Sequence, residues 1–222
     1  MPQLPFDLPL PGREELLGHS VRYRSNGWHQ RLPSIDWWPP ALAVDGPQSA
    51  WLGLDRRQTF ALARTALEED RPEHLLVAAG VFGAGDGSRA RARFCRIFAN
   101  EPAAISGRLR ASLRILANEG AVAAYRALTG EHRIPYLGPA FLTKTLYFAA
   151  GPDASPASPV ILDKYVALAL RAARCVPDRW PLANWSTQQY AAYLGLVHGW
   201  ATEHGVGAGQ IEMALFVRGR AQ

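Results

Sequence analysis

The sequence predicts an all-α protein in which a helical bundle follows an irregular N-terminal arm. Three observations predict this fold class. Prolines interrupt the first fifty residues, apolar residues recur at helical spacing from residue 55 onward, and no alternating strand pattern of useful length appears. We therefore expect no sheet, and 222 residues suffice for one domain with its own core.

The predicted arm covers residues 1–50 and packs on a helical body of residues 51–222. We expect Trp28, Trp37 and Trp38 to bury their rings against the body; a base-stacking role is the alternative. Proline leaves room for only one short helix in the arm, at residues 13–17. The arm's prolines occupy positions 2, 5, 9, 11, 33, 39, 40 and 47.

The body is predicted to consist of consecutive helices with recognisable first residues. Asp55 caps a helix through residue 69, and Pro72 begins one through about residue 81, before a glycine-rich turn. Ser186 and Gln189 have the spacing of a capping box. The remaining helices are predicted at residues 88–98, 102–116, 121–128 and 139–149, from Pro159 or Val160 through Arg174, from Ser186 through about 203, and at 209–217.

The charge balance is compatible with a polyanionic partner but does not identify one. Lysine and arginine total 24 against 19 acidic residues, and only Lys144 and Lys164 are lysines. A lysine amine can lose its proton and attack carbon, whereas a guanidinium cannot. The two lysines are therefore candidate nucleophiles, with retention by chance as the alternative. Two clusters of arginine at helical spacing are solvated faces or phosphate contacts: Arg89, Arg91 and Arg93, and Arg108, Arg110 and Arg114.

Several classes of protein and site are not expected. Cys95 and Cys175 are predicted to be small buried residues without a disulfide framework, and the six histidines lack metal-ligand spacing, so no metal or cofactor is predicted. No stretch approaches the roughly 20 apolar residues of a membrane helix. The N-terminus lacks the pattern of a secretory signal, and we expect a cytoplasmic protein with no membrane partner.

Residues 129–144 are predicted to form a hairpin between two helices. Free N–H groups at such a turn and at the start of the second helix favour a bound phosphate. The candidate DNA-backbone contacts are His132, Arg133, Tyr136 and Gly138. On this pattern alone, a plain connection between helices is the alternative.

Residues 134–144 and 160–166 resemble the signature of the helix-hairpin-helix DNA glycosylases, and the match is closest to the 8-oxoguanine branch. That signature has a glycine-containing hairpin, a lysine on the next helix and an aspartate after a Pro/Val-rich loop. Lys144 and Asp163 occupy the last two places, 19 residues apart as in that branch. Residues 210–216 resemble the family's closing helix, in which Glu212 and Phe216 fall on positions that face the base pocket.

The sequence departs from the family pattern at two points. Tyr136 stands where the first hairpin glycine is usual. The family register for the lysine falls on Ala140, so Lys144 lies one turn further along the same helix face. Either the hairpin is longer in this chain, or the lysine site has moved by a turn.

The resemblance implies a monomeric DNA glycosylase that excises a flipped base. In that reading Lys144 attacks C1′ and forms an imine, which adds AP-lyase activity, and Asp163 stabilises the oxocarbenium-like transition state. Phe216 stacks on the base and Glu212 accepts its hydrogen bonds. An oxidised purine is the implied base, and a hypermodified base of invading phage DNA fits Glu212 equally well. The alternatives are a Lys144–Asp163 salt bridge without chemistry, a non-catalytic DNA-binding module, and a helical interaction protein.

Overall fold

The computed structural model describes Leu4 and residues 10–43, 50–152 and 157–222. Eleven α-helices in these ranges confirm the all-α class. The expectation of no sheet is wrong, because strand β1 (Ser20–Tyr23) pairs antiparallel with strand β2 (Leu52–Asp55). Each strand has four residues, so neither is long enough for an alternating pattern to stand out from the sequence.

The helices follow one another along the chain, and α3, α4, α8, α9 and α11 supply most of the residues discussed below. Three short 3₁₀ segments lie at Ile35–Trp37, Pro40–Leu42 and Arg96–Ala99. The helices are α1 (Arg13–Gly18), α2 (Asn26–His29), α3 (Arg56–Glu68), α4 (Pro72–Ala84), α5 (Ser88–Cys95), α6 (Pro102–Glu119), α7 (Ala121–Thr129), α8 (Pro139–Ala150), α9 (Lys164–Ala172), α10 (Thr187–His204) and α11 (Ala208–Arg220).

Side-chain caps fix the starts of α3 and α10, as the sequence predicts. Asp55 Oδ1 accepts a hydrogen bond from the Gln58 amide at 2.7 Å, and Gln58 Oε1 accepts one from the Asp55 amide at 3.0 Å. Ser186 and Gln189 make the same reciprocal pair at the start of α10. These capping boxes pair N–H groups that the helices leave unsatisfied.

The predicted helix from Pro159 or Val160 begins later than expected, at Lys164. Residues 160–162 are buried and extended because side chains pair their backbone groups. Tyr190 and Tyr193 of α10 donate to the carbonyls of Val160 and Ile161 at 3.1 and 2.6 Å. Thr143 Oγ1 of α8 both donates to the Leu162 carbonyl and accepts from its amide. An apolar run that looks helical is thereby held as an extended segment that leads into Asp163.

The predicted arm packs on the helices through its tryptophans. The ring of Trp28 meets Phe94 edge to face at 5.7 Å between centroids, and Trp37 meets Phe98 in the same way at 5.6 Å. Trp38 is buried as well. Residues 1–3, 5–9 and 44–49 of this predicted arm lie outside the described ranges, and its division from the body at residue 50 stays a prediction.

Two smaller expectations are also resolved. Cys95 and Cys175 are free thiols, as predicted, but both are half-buried instead of buried. The helix from Pro72 continues to Ala84, so the glycine-rich turn is shorter than predicted. Within the described ranges no helix has the length and apolar character needed to cross a membrane.

Candidate active site

Lys144 and Asp163 lie in hydrogen-bond contact between α8 and the start of α9. The Lys144 Nζ atom is 3.1 Å from Asp163 Oδ2. Both side chains are mostly buried, with 10% and 12% of their surface exposed. Since the remaining surface opens into a pocket, the pair has the access that a wholly internal salt bridge lacks.

Asp163 divides its two carboxylate oxygens between two tasks. Its Oδ1 atom accepts hydrogen bonds from the amides of Tyr165 and Val166 at 3.0 and 3.2 Å, and so caps α9. The positive end of the helix dipole stabilises a carboxylate at this position. Its Oδ2 atom is left for Lys144. The cap fixes the orientation of the carboxylate toward the amine.

Gly83 of α4 gives the Lys144 side chain its path to the site. A methyl group added at Gly83 would lie 2.9 Å from Lys144 Cδ and 2.7 Å from Phe141 Cε1. Both distances are shorter than carbon atoms tolerate. A larger residue at Gly83 would therefore displace the lysine stem and the Phe141 ring where they cross α4.

A pocket of about 200 Å³ brings together the four residues predicted for catalysis and base binding: Lys144, Asp163, Glu212 and Phe216. Ser20, Tyr165 and Arg220 are exposed and line its mouth. A larger cavity of about 690 Å³ lies elsewhere, between α6 and neighbouring segments, and none of those four residues lines it. We place the candidate site at the smaller pocket because it brings together an amine, two carboxylates and an aromatic ring.

Glu212 is held by an arginine that the sequence did not single out. Arg56 Nη2 lies 2.8 Å from Glu212 Oε2, and both side chains are almost fully buried. Arg56 Nη1 also donates to the Tyr147 hydroxyl at 3.1 Å. Burial raises the pKa of Glu212, and the charge of Arg56 opposes that rise. One carboxylate oxygen is thus committed to Arg56, and the role of Glu212 as a base reader stays a prediction.

His19 is a second pocket residue that sequence reasoning missed. Its carbonyl accepts a hydrogen bond from the Arg56 amide at 3.2 Å, and its Nδ1 accepts one from Arg56 Nε at 3.5 Å. Burial, followed by the charges of Arg56, Arg220 and Lys144, lowers the pKa of His19 to about 4. No local pattern marks His19, because the contacts that define it come from residues far along the chain.

Aromatic rings line one side of the pocket. Phe216 is half-buried, and its ring lies edge to face with Tyr165 at 5.6 Å between centroids and with His19 at the same distance. Phe82 meets His19 edge to face at 5.8 Å. Phe216 therefore has the position and accessibility of a stacking surface, and its contact with a base stays a prediction.

The turn between α7 and α8 carries the four predicted backbone contacts, His132, Arg133, Tyr136 and Gly138. Gly138 is the N-cap residue of α8, and the Arg133 side chain is exposed. Tyr136 has a φ of +69°, the left-handed conformation that glycine adopts most easily. The departure at Tyr136 thus concerns the residue type, while the backbone keeps a conformation typical of glycine. DNA contact by these four residues stays a prediction.

One of the two predicted arginine clusters is partly engaged within the protein. Arg110 Nε pairs with Asp70 Oδ1 at 2.6 Å, and Arg108 donates to the Arg133 carbonyl at 2.9 Å. Arg89 and Arg93 of the other cluster are exposed on α5. In the described part of the chain, no three His, Cys, Asp or Glu side chains are grouped so that they could hold a metal ion.

Comparison with known proteins gives one match. Residues 14–216 match the model of the family described as "Putative 8-oxoguanine DNA glycosylase OGG-like protein". No curated protein and no solved structure matches the chain. The matched range includes Lys144, Asp163, Glu212 and Phe216 as well as His19 and Arg56. Since the match covers nearly the whole length, the chain belongs to this family of 8-oxoguanine DNA glycosylase-like proteins.

Proposed function

We propose that this protein excises a damaged or modified base from DNA, with Lys144 as the nucleophile and Asp163 as its carboxylate partner. The observation that carries the proposal is the 3.1 Å contact between amine and carboxylate in an aromatic-lined pocket. Membership of a DNA glycosylase-like family supports the reaction class. The lysine scarcity of the chain supports Lys144 as the reacting amine, since arginine cannot replace it there.

The proposed reaction begins with a nucleotide turned out of the duplex into the pocket. Such enzymes read and hold the base outside the stack, commonly between aromatic or apolar side chains. In this pocket Phe216 supplies the ring surface. Glu212 supplies one carboxylate oxygen to base N–H groups, because Arg56 holds the other.

The Lys144 amine then replaces the base at C1′. The Nζ–C1′ bond forms, the C1′–N bond breaks, and its electron pair leaves with the base, which takes up a proton. Asp163 Oδ2 is positioned to accept the proton that the lysine amine releases and to stabilise positive charge on the sugar. Opening of the sugar ring yields an imine. Loss of a proton from C2′ then breaks the C3′–O bond by β-elimination, which is the proposed AP-lyase step.

The turn between α7 and α8 is the proposed grip on the DNA backbone. At the start of α8, Pro139 has no N–H and the Phe141 and Leu142 amides donate to the Gly138 carbonyl. The proposed phosphate contacts are therefore the amides of Gly138 and Ala140, where the helix dipole favours an anion. Arg133 and His132 add side chains on the same turn. We propose that this turn acts as the helix-hairpin-helix motif that the sequence resemblance implies, with Lys144 on the helix that follows it.

Borohydride trapping tests the assignment of Lys144. Reduction of an imine links enzyme and DNA permanently, and we expect the wild-type protein to be trapped on at least one duplex from a panel of oxidised and hypermodified bases. Lys144→Ala should abolish trapping. The exposed Lys164 provides a matched control, because Lys164→Ala also removes a lysine and should trap normally.

Two results would contradict the proposal. Trapping of a folded Lys144→Ala protein would assign the nucleophile to another amine. A wild-type protein that binds duplex DNA but releases no base from any member of the panel would favour the non-catalytic DNA-binding alternative.

A further inference from the structure

We propose that His19 is a specificity-determining residue that donates its Nε2 hydrogen to an acceptor on the flipped base. The inference rests on the proposed glycosylase function and adds a base-reading residue to the same pocket. His19 lies between α1 and β1 and lines the pocket with Lys144, Asp163 and Glu212.

Arg56 fixes which nitrogen of His19 carries the proton. A guanidinium has hydrogen-bond donors and no acceptor, so His19 Nδ1 must accept from Arg56 Nε. In the neutral ring the hydrogen then lies on Nε2. The second bond, from the Arg56 amide to the His19 carbonyl, anchors the backbone of the same residue.

The charges around His19 keep the ring neutral. Arg56 approaches from α3, Lys144 from α8 and Arg220 from α11, while Glu212 and Asp163 line the same pocket. Together with burial, the three cations hold the pKa of His19 near 4. His19 therefore carries one N–H donor, on Nε2, throughout the neutral range of pH, and the residue lines the pocket.

That donor has no hydrogen-bond partner among the residues that the structure describes. Of the two ring nitrogens, only Nδ1 makes a hydrogen bond with a described residue. The His19 ring is tilted by 62° from the Phe216 ring and by 81° from that of Phe82. A base that stacks parallel to Phe216 consequently meets His19 along its edge, where hydrogen-bonding groups lie.

His19 and Glu212 together define a pattern on the base. His19 offers a donor, and the Glu212 carboxylate offers an acceptor whose position Arg56 fixes. The matching base edge carries a carbonyl oxygen beside an N–H group. Oxidised purines, guanine and thymine all present this combination, whereas an amine beside a bare ring nitrogen, as in adenine, reverses it. The two residues therefore select a carbonyl/N–H edge over its amino counterpart.

The test compares three bases in duplex DNA, two of which lack one carbonyl/N–H edge of 8-oxoguanine. In 8-oxo-2,6-diaminopurine the C6 carbonyl and N1–H become an amine beside a bare N1, and in 8-aminoguanine the C8 carbonyl and N7–H become an amine beside a bare N7. We expect the wild-type protein to excise 8-oxoguanine at least about 10-fold faster, in kcat/KM, than the analogue that lacks the carbonyl facing His19. His19→Phe keeps a ring against Phe82 and Phe216 but loses the donor, so that one ratio should fall below its wild-type value. Glu212 still distinguishes the neighbouring N–H and should keep the ratio above 1.

Two further variants distinguish loss of the N–H donor from other effects of substituting a histidine. His19→Gln retains an N–H donor and should keep part of the discrimination, whereas His204→Gln, at an exposed histidine on α10, should leave both ratios unchanged. An active His19→Phe protein with both wild-type ratios would overturn the role of His19. A wild-type protein that acts on the amino analogues as fast as on 8-oxoguanine, or that is trapped on another modified base and acts on none of these three, would overturn base reading by His19 and leave the glycosylase function standing.

Discussion

Asp163 combines an observed structural role, the cap of α9, with the catalytic role that we propose for it. Its Oδ1 atom accepts hydrogen bonds from amides in the first turn of α9, and its Oδ2 atom accepts one from Lys144. Asparagine retains an oxygen that can cap α9, because capping needs an acceptor and no charge. The two tasks can therefore be separated by a single substitution.

Asp163→Asn is expected to lower base excision by about 10²-fold or more while DNA binding persists, because the charge that stabilises the developing cation is lost. Single-turnover excision and equilibrium binding to the same duplex measure the two effects. Asp163→Ala is the comparison, since it also removes the cap and should cost roughly 1 kcal/mol of unfolding free energy. Excision by Asp163→Asn at the wild-type rate would refute a catalytic role for the carboxylate.

At the scale of residues, the sequence indicated Lys144 and Asp163 but not their neighbours. Lysine scarcity and the 19-residue spacing are visible in a single sequence, and so is the Glu212–Phe216 pair on one helix face. Arg56 directly follows a helix cap and resembles an ordinary surface residue there. Its partner Glu212 lies on the last helix, so only the folded chain brings them together.

The elements that hold the site meet at one close helix contact, between α9 and α11. Gly219 packs directly on the backbone of Tyr165, and a methyl group at Gly219 would overlap the Tyr165 carbonyl. Tyr165 is two residues from Asp163, and Gly219 is three from Phe216. The separation of the Asp163 carboxylate from the Phe216 ring is thus set by a glycine.

Gly219→Ala is expected to destabilise the protein by about 1–3 kcal/mol and to slow excision, because α9 and α11 must move apart. Gly195→Ala is the matched control. Gly195 is exposed on α10 with open space around it, so alanine there should be neutral or stabilise by up to about 1 kcal/mol. Denaturant unfolding and single-turnover excision report both effects, and equal behaviour of the two variants would contradict the close-contact argument.

At the scale of elements, helix starts were predictable and the segment before Asp163 was not. Asp55, Ser186 and the prolines at residues 72, 102 and 139 act locally, so the sequence alone shows them. Residues 160–162 are extended because tyrosines of α10 and Thr143 of α8 pair their backbone. Those partners come from separate helices, and no local rule anticipates them.

At the scale of the whole molecule, the charge distribution sets how the protein meets DNA. The net charge is only +5, so general attraction is modest. Some arginines are already engaged, as Arg110 is with Asp70. We therefore expect the predicted DNA-backbone contacts of the turn between α7 and α8 to contribute more to DNA affinity than the net charge does. The salt dependence of binding can measure how many phosphates these contacts neutralise.

Binding to duplex DNA is expected to weaken steadily with salt, with a slope of about −0.9 in log K against log salt for each phosphate neutralised. If Arg133 contacts one phosphate, Arg133→Ala should reduce the magnitude of the slope by about 0.9 and weaken binding to all duplexes alike. Arg64→Ala removes the same charge from an exposed arginine on α3 and should leave the slope nearly unchanged. Equal slopes for Arg133→Ala and Arg64→Ala would remove Arg133 from the interface, and a flat wild-type response would favour the helical interaction protein over any DNA-binding role.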